Sequence, residues 1–191
     1  MAIIVDVVNS SVAEAMTGLV TGVAAGTASA GHLLGMRNPG ALTVRLRSLD
    51  VSCTTTTAFG AAQEVGFDVF KATTYTAAHT GGAGVVPSKA FTDQAASLVT
   101  STQLRISTTG ALTNGTETLD TDRLLTDSFW CAGLTSFLSW RQYDWTSYPA
   151  GGLLFKANEG IVLRNTILMG ATGVVRWSFR LAWDDVIVTG A

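Results

Sequence analysis

The chain has two histidines, His32 and His79, and these are the first residues to consider for catalysis. A Ser-His-Asp arrangement would have to use one of them with a serine that the fold brings close. However, the sequence contains no Gly-x-Ser-x-Gly, Walker or His-Glu-x-x-His motif. His79 lies in a stretch of small and polar residues from Tyr75 to Gly84, for which we expect a mobile loop with an exposed imidazole. The sequence therefore predicts no catalytic residues, and a protein that is not an enzyme.

Carboxylates and cysteines do not form a metal-binding motif of known spacing. Asp120 and Asp122 follow Glu117 and could ligate a hard cation such as calcium, but the glycine and downstream glutamate of an EF-hand loop are missing. This spacing favours a solvated turn. Cys53 and Cys131 lie far apart without a Cys-x-x-Cys pattern, which allows at most one disulfide and favours two buried free thiols. We therefore predict neither a metal nor a cofactor.

Aromatic residues are concentrated between Phe129 and Tyr148, a segment that holds three of the five tryptophans. Such a cluster is typical of a core, of a subunit interface rich in Trp, Tyr and Arg, or of a sugar-stacking platform. Polar residues interleave with the aromatic ones from Trp140 to Trp145, which suits an interface or a sugar site better than a dry core. The candidate interface residues are Trp140, Arg141, Tyr143, Trp145, Tyr148, Arg176 and Arg180.

The elements that must position these residues have the period of β-strands. From Val175 to Trp183, large apolar residues alternate with Arg176, Ser178, Arg180 and Ala182, which indicates a strand with one face on a core. Asp184 and Asp185 follow it as adjacent strand-end charges that point to opposite faces and are poorly arranged to act as an acid and base pair. Many short alternating segments with glycine-rich turns predict an all-β protein, an antiparallel β-sandwich or jelly roll.

The first 31 residues differ in character from the rest. No basic residue precedes Arg37, so a secretory signal is not expected. The spacing Ser11 to Glu14 is that of a capping box and predicts a short helix, although later glycines weaken it. Hydroxyl residues dilute the uncharged stretch from Ala15 to Met36, which disfavours a membrane span. We predict an N-terminal arm over residues 1–31 that contacts a neighbouring molecule, and a β-sandwich domain over residues 32–191.

Composition excludes two functional classes. The chain of 191 residues has 12 basic and 14 acidic side chains, a net charge of -2, 47% hydrophobic residues and only 14% charged residues. Disordered chains combine low hydrophobicity with high net charge, and nucleic-acid binders carry a basic excess. Neither class fits. The surface is covered by hydroxyls and backbone more than by lysine and glutamate.

Two segments resemble virion structural proteins of tailed bacteriophages: Leu33–Gly40, with its Asn-Pro turn before a strand, and Leu153–Leu163, with a Glu-Gly turn before a strand. The second segment is followed by a strand that ends in Trp183-Asp184-Asp185. In that family an Asn-Pro turn opens an early strand of a β-sandwich, and a Glu-Gly turn precedes the penultimate strand.

The resemblance implies a head decoration or cement protein without catalytic residues. Such a protein is made in the host cytoplasm and assembles on the capsid surface, most often as a homotrimer, where its partners are the major capsid protein or other virion proteins. Another capsid or tail component remains an alternative. A carbohydrate-binding adhesin that stacks Trp140, Tyr143 and Trp145 on sugar rings is a third possibility.

Overall fold

The protein is built from antiparallel strands. A computed structural model describes residues 4–21, 31–90, 92, 95–108, 111–131, 138–166 and 173–189. The strands are β1 (Ile4–Thr21), β2 (His32–Arg37), β3 (Thr43–Thr57), β4 (Gln63–Thr73), β5 (Ala83–Gly84), β6 (Ser88–Lys89), β7 (Leu104–Ile106), β8 (Thr118–Cys131), β9 (Leu138–Asp144), β10 (Leu153–Phe155), β11 (Gly160–Asn165) and β12 (Val174–Thr189). No helix occurs in these ranges, so the all-β prediction is confirmed.

The strands form two six-stranded sheets. Sheet I has the order β10-β3-β12-β1-β6, and β9 pairs with β3 beside β10. Sheet II has the order β5-β7-β2-β11-β4-β8. One apolar core takes buried side chains from both sheets, and aromatic rings cross between them: Phe67 of sheet II lies 5.8 Å from Trp177 of sheet I. The predicted antiparallel β-sandwich is thereby confirmed.

Alternation along β12 follows the pattern read from the sequence. Val175, Trp177, Phe179, Leu181 and Trp183 are at most 2% exposed and face the core. The residues between them face outward, because successive side chains of a strand point to opposite sides. This strand lies between β3 and β1, which places its outward face in the middle of an exposed sheet surface.

The predicted N-terminal arm is wrong for residues 4–21, which form β1 within sheet I. This strand pairs antiparallel with β12 from Ile4, opposite Thr189, to Thr21, opposite Val174. The helix predicted from Ser11 is also wrong: hydrogen bonding along β12 outweighs the weak propensity of a glycine-containing segment. The rest of the predicted arm, residues 1–3 and 22–30, lies outside the described residues. Within the described ranges, no helix is long and apolar enough to cross a membrane.

Candidate functional site

A buried polar cluster lies against β2, an inner strand of sheet II. It consists of His32, Tyr75, His79 and Glu117, and we call it the histidine cluster. Tyr75 is 0% exposed, His79 2% and His32 4%, and the Glu117 side chain is 3% exposed. The prediction that His79 is an exposed imidazole is therefore wrong. Its loop is rich in small residues because it packs closely against the sheet.

Three separate elements bring these side chains together. His32 begins β2, Tyr75 and His79 belong to the loop after β4, and Glu117 immediately precedes β8. Backbone hydrogen bonds join the loops: Thr80 and Thr113 exchange two N–H···O bonds of 3.1 Å, and the amide of Leu112 donates to the His32 carbonyl at 2.8 Å. The cluster is therefore fixed by main-chain pairing as well as by its own side chains.

Gly35 and Gly115 leave room for the cluster. A Cβ atom at Gly35 would clash with the rings of His79 and Tyr75. A Cβ atom at Gly115 would clash with the Ala77 carbonyl and approach the Glu117 carboxylate. Only glycine at these two positions allows the polar side chains to reach their observed places.

Three potential ligand atoms converge inside the cluster. His32 Nδ1 lies 2.6 Å from His79 Nε2, and Glu117 Oε1 lies 3.3 Å from the first nitrogen and 3.2 Å from the second. The hydroxyl of Tyr75 hydrogen-bonds the other ring nitrogen of His79, Nδ1. Two imidazoles and a carboxylate within 4.8 Å of one another form a donor set that could hold a metal ion.

Burial controls the protonation of this cluster. Desolvation, aided by the charge of Arg164, lowers the pKa of His32 to about 4, and desolvation with His32 nearby lowers the pKa of His79 to about 4. Burial raises the pKa of Glu117, and backbone amides partly offset this effect. Burial and the Glu117 charge raise the pKa of Tyr75. Both imidazoles are therefore neutral near pH 7, the form in which histidine ligates metals.

Sequence reasoning missed the histidine cluster because its members are separated in the chain. Neither histidine is close to the other in sequence, and Glu117 stands 38 positions after His79. The loops that carry these residues pair through Thr80 and Thr113, and the spacing of residues along the sequence does not predict this pairing. The one available hint was that the only two histidines of the chain lie in glycine-containing segments.

The structure places three of the predicted interface residues on one outer surface of sheet I. Trp140 pairs with Ser52, which pairs with Ser178, and Arg176 and Arg180 lie two positions to either side of Ser178. Trp140 is 55% exposed, and both arginines are exposed. We call Trp140, Arg176 and Arg180 the tryptophan–arginine face. Trp140 stands two strands, about 10 Å, from Ser178 and about 12 Å from each arginine.

The other candidate interface residues have different surroundings. The Tyr143 hydroxyl donates to Asp127 Oδ2 at 2.5 Å, and Arg141 Nε lies 3.4 Å from the same atom, so both side chains link the two sheets. Trp145 is 6% exposed and packs in the core. Tyr148 is 50% exposed in the turn after β9. Of the aromatic interface candidates, therefore, Trp140 and Tyr148 are available at the surface, whereas Trp145 is not.

The acidic residues considered in the sequence analysis fall into an exposed pair and a buried pair. Asp120 and Asp122 are exposed, as expected, but they lie in strand β8 instead of a turn. Asp184 is 1% exposed and accepts two bonds from the Arg45 guanidinium, of 2.6 and 3.1 Å. Asp185 is 0% exposed and accepts a bond from the Leu98 amide. The prediction that these two residues are strand-end charges is wrong, because β12 continues to Thr189 and both carboxylates are buried.

The two cysteines are buried free thiols, as predicted. They come from different sheets, Cys53 from β3 and Cys131 from β8, and their side chains hydrogen-bond. The bond from Cys53 lowers the pKa of Cys131, whereas that bond and burial raise the pKa of Cys53. Cys131 therefore loses its proton more readily than Cys53.

Comparison with known proteins identifies no relative. The chain matches no family model, no curated protein and no solved structure.

Proposed function

We propose that this chain is a structural protein of a bacteriophage virion, a decoration or cement protein that stabilises the head as a homotrimer. The role is non-enzymatic: contact area buried between subunits and against the capsid adds to particle stability, and each site is filled by mass action. The chain would be made in the host cytoplasm and would act on the capsid surface. The observation that carries the proposal is the exposed tryptophan–arginine face on the outer surface of sheet I.

The composition of this face supports an interface. Trp and Arg are the residues most enriched at binding hot spots, and here they project from rigid, paired strands. Arg180 Nη1 lies 3.8 Å from Asp50 Oδ2, and the Arg180 side chain is still 53% exposed. A neighbouring serine surface, from Ser52 and Ser178, leaves space for an approaching subunit. A partner could thus cover the aromatic ring and pair with the arginines at once.

An acidic edge on the same chain supports self-association. Strand β8 is the last strand of sheet II and exposes Asp120 and Asp122. A contact between the tryptophan–arginine face of one subunit and the β8 edge of the next joins two different surfaces. Repetition of such a head-to-tail contact closes a ring when the rotation fits, and three copies form the proposed trimer.

The burial of Trp145 argues against the carbohydrate-binding alternative. A sugar platform built from Trp140, Tyr143 and Trp145 requires all three rings at the surface. Trp145 is 6% exposed, and the hydroxyl of Tyr143 is engaged by Asp127. Trp140 alone offers little stacking area, so we favour the virion role. Another capsid or tail component remains an alternative that uses the same surface.

A charge-exchange experiment tests the trimer. Size-exclusion chromatography with light scattering should give about 59.7 kDa for the wild type, three times the chain mass of 19.9 kDa. Arg176→Glu with Arg180→Glu should reduce the trimer, and so should Asp120→Arg with Asp122→Arg. All four changes together should restore it. Lys156→Glu, which reverses an exposed charge elsewhere, is the matched control.

The outcomes separate the proposal from its alternatives. A wild-type monomer at micromolar concentration would rule out the trimer. A trimer that resists both charge reversals would place the interface on another surface. Cosedimentation with empty capsids of the phage that encodes the chain then tests the virion role, with Trp140→Ser as the weakened variant. Equal capsid occupancy by wild type and variant would contradict the assignment of this face.

A further inference from the structure

We propose that His32, His79 and Glu117 form a zinc site that locks together three segments packed against β2 of sheet II. The ligands would be Nδ1 of His32, Nε2 of His79 and Oε1 of Glu117. This inference is independent of the virion role, because it concerns the fold of a single chain. The candidate occupant is Zn²⁺, whose ligands in proteins are imidazole nitrogen, thiolate and carboxylate.

The distances fit such an ion after a small adjustment. Zinc binds nitrogen and oxygen at about 2.0–2.2 Å, so tetrahedral ligand atoms stand about 3.3 Å apart. The two distances to Glu117 Oε1, 3.3 and 3.2 Å, already have this value. The two ring nitrogens are 2.6 Å apart and need to separate by about 0.7 Å, which a small rotation of either ring supplies.

The Glu117 carboxylate is buried without a full set of hydrogen bonds. Oε2 of Glu117 is buried and makes no hydrogen bond of acceptable geometry with any described residue. A buried polar atom without a partner costs about 1–3 kcal/mol, and more when it carries charge. Because the two facing ring nitrogens lie 2.6 Å apart, one of them must accept, so the neutral pair holds a single proton there to share with the carboxylate. A divalent cation would compensate this carboxylate.

The surroundings of the ligands are those of a metal site. Metal-bound histidines usually hydrogen-bond a second group through their other ring nitrogen, which fixes the ring. Tyr75 makes this contact with His79 Nδ1. The positive charge of Arg164 lies near His32, but Asp68 pairs with it at 3.7 Å and reduces its effect on a bound cation.

The ion would act as a structural staple. His32 begins a strand, His79 belongs to a loop and Glu117 precedes another strand, so one ion would join three segments that the backbone holds with only a few hydrogen bonds. A ligand that binds only the folded state stabilises it according to concentration and affinity. At zinc one hundred times above the Kd, the melting temperature should rise by about 5–10 °C.

Zinc uptake by the tag-free, full-length chain tests the site. Protein dialysed against EDTA and then against ZnCl₂ should retain one zinc per chain by mass spectrometry and show the rise in melting temperature. Glu117→Gln and His79→Gln should lose both effects. Tyr75→Phe should weaken binding roughly 10–100-fold, the usual effect of removing a group that hydrogen-bonds a metal-bound histidine. Glu64→Gln, at an exposed glutamate, is the matched control and should bind zinc normally.

Two further measurements identify the zinc ligands independently of the cluster variants. The variant Cys53→Ser with Cys131→Ser should still bind zinc, because the thiols belong to a separate pair. If the cluster variants fail to fold, zinc-edge X-ray absorption of the wild type should show only nitrogen and oxygen ligands. Sulfur ligands, zinc binding that survives in Glu117→Gln, or wild-type protein that takes up no zinc would each overturn the proposal.

Discussion

Replacing Phe67 with alanine tests whether the aromatic contacts between the sheets hold the sandwich together. The side chain is 0% exposed, and its ring lies 5.8 Å from Trp177, 6.0 Å from Phe129 and 6.1 Å from Tyr143. Removing a buried phenylalanine costs about 3–5 kcal/mol, and each aromatic pair contributes about 0.5–1.5 kcal/mol beyond its buried area. With three such pairs lost, we expect about 4–5 kcal/mol.

This loss is large for a domain of this size. Native domains are stable by about 5–15 kcal/mol, so Phe67→Ala should leave a protein that unfolds at much lower urea concentration. Urea titrations followed by far-ultraviolet circular dichroism measure the difference. Phe67→Leu keeps most of the volume and should cost less than about 2 kcal/mol. Trp130→Ala removes a larger ring that is 61% exposed and should change stability by at most about 0.5 kcal/mol.

The prediction depends on the order of the three stability losses: Phe67→Ala largest, Phe67→Leu smaller and Trp130→Ala smallest. A loss below about 1 kcal/mol for Phe67→Ala, at an unchanged dependence on urea, would refute the reasoning that the rings join the sheets. A loss for Trp130→Ala equal to that for Phe67→Ala would do the same. It would mean that exposed and buried aromatic residues contribute alike.

Three smaller predictions concern other contacts between strands. Arg45→Met leaves the buried Asp184 carboxylate without its main partner and should destabilise the fold by roughly 3–5 kcal/mol in urea titrations, and a loss under about 1 kcal/mol would contradict this. Burial and the Asp127 carboxylate on β8 raise the pKa of Tyr143. The protonated hydroxyl therefore stabilises the fold fully below the unfolded pKa of about 10, and this stabilisation is lost as pH rises above that value. Tyr143→Phe should therefore cost about 1 kcal/mol at pH 7 and flatten the fall in stability at higher pH, and an unchanged pH profile would argue against it. Mild oxidation should join Cys53 to Cys131 with the loss of two hydrogens by mass spectrometry, whereas two alkylatable thiols after oxidation would show that they cannot meet.

The strands with one face buried in the core were predictable from the sequence. In β12 the side chains from Val175 to Trp183 alternate without interruption, and the structure has them alternately buried and outward. In β3 the pattern changes between Leu46 and Leu49, because the pairing with β12 shifts there and Arg47 becomes an extra residue. A bulge of this kind moves the inward set by one position. Local periodicity reports the alternation, because side-chain direction along a strand depends on neighbouring residues alone. The bulge depends on the pairing with β12.

The first strand and the histidine cluster were not predictable in the same way. Pairing of β1 with β12 joins residues from opposite ends of the described chain, and no local signal marks such a partner. The capping-box spacing at Ser11 instead favoured a helix. Likewise, Glu117 approaches His79 only because their loops pair through Thr80 and Thr113. Long-range strand and loop pairing therefore determines the conformation of residues 4–21 and the assembly of the histidine cluster, which local propensity does not predict.

The position of β12 between β3 and β1 has a consequence for synthesis on the ribosome. Both of its neighbours emerge much earlier, and each must wait for the same late strand before its inner edge is paired. Contacts of such long sequence separation make folding slow, and unpaired strand edges invite association with other chains. Until β12 is complete, sheet I has open edges on both β1 and β3. Chains stalled on the ribosome before Val174 should therefore remain sensitive to protease, because neither β1 nor β3 then has its shared partner.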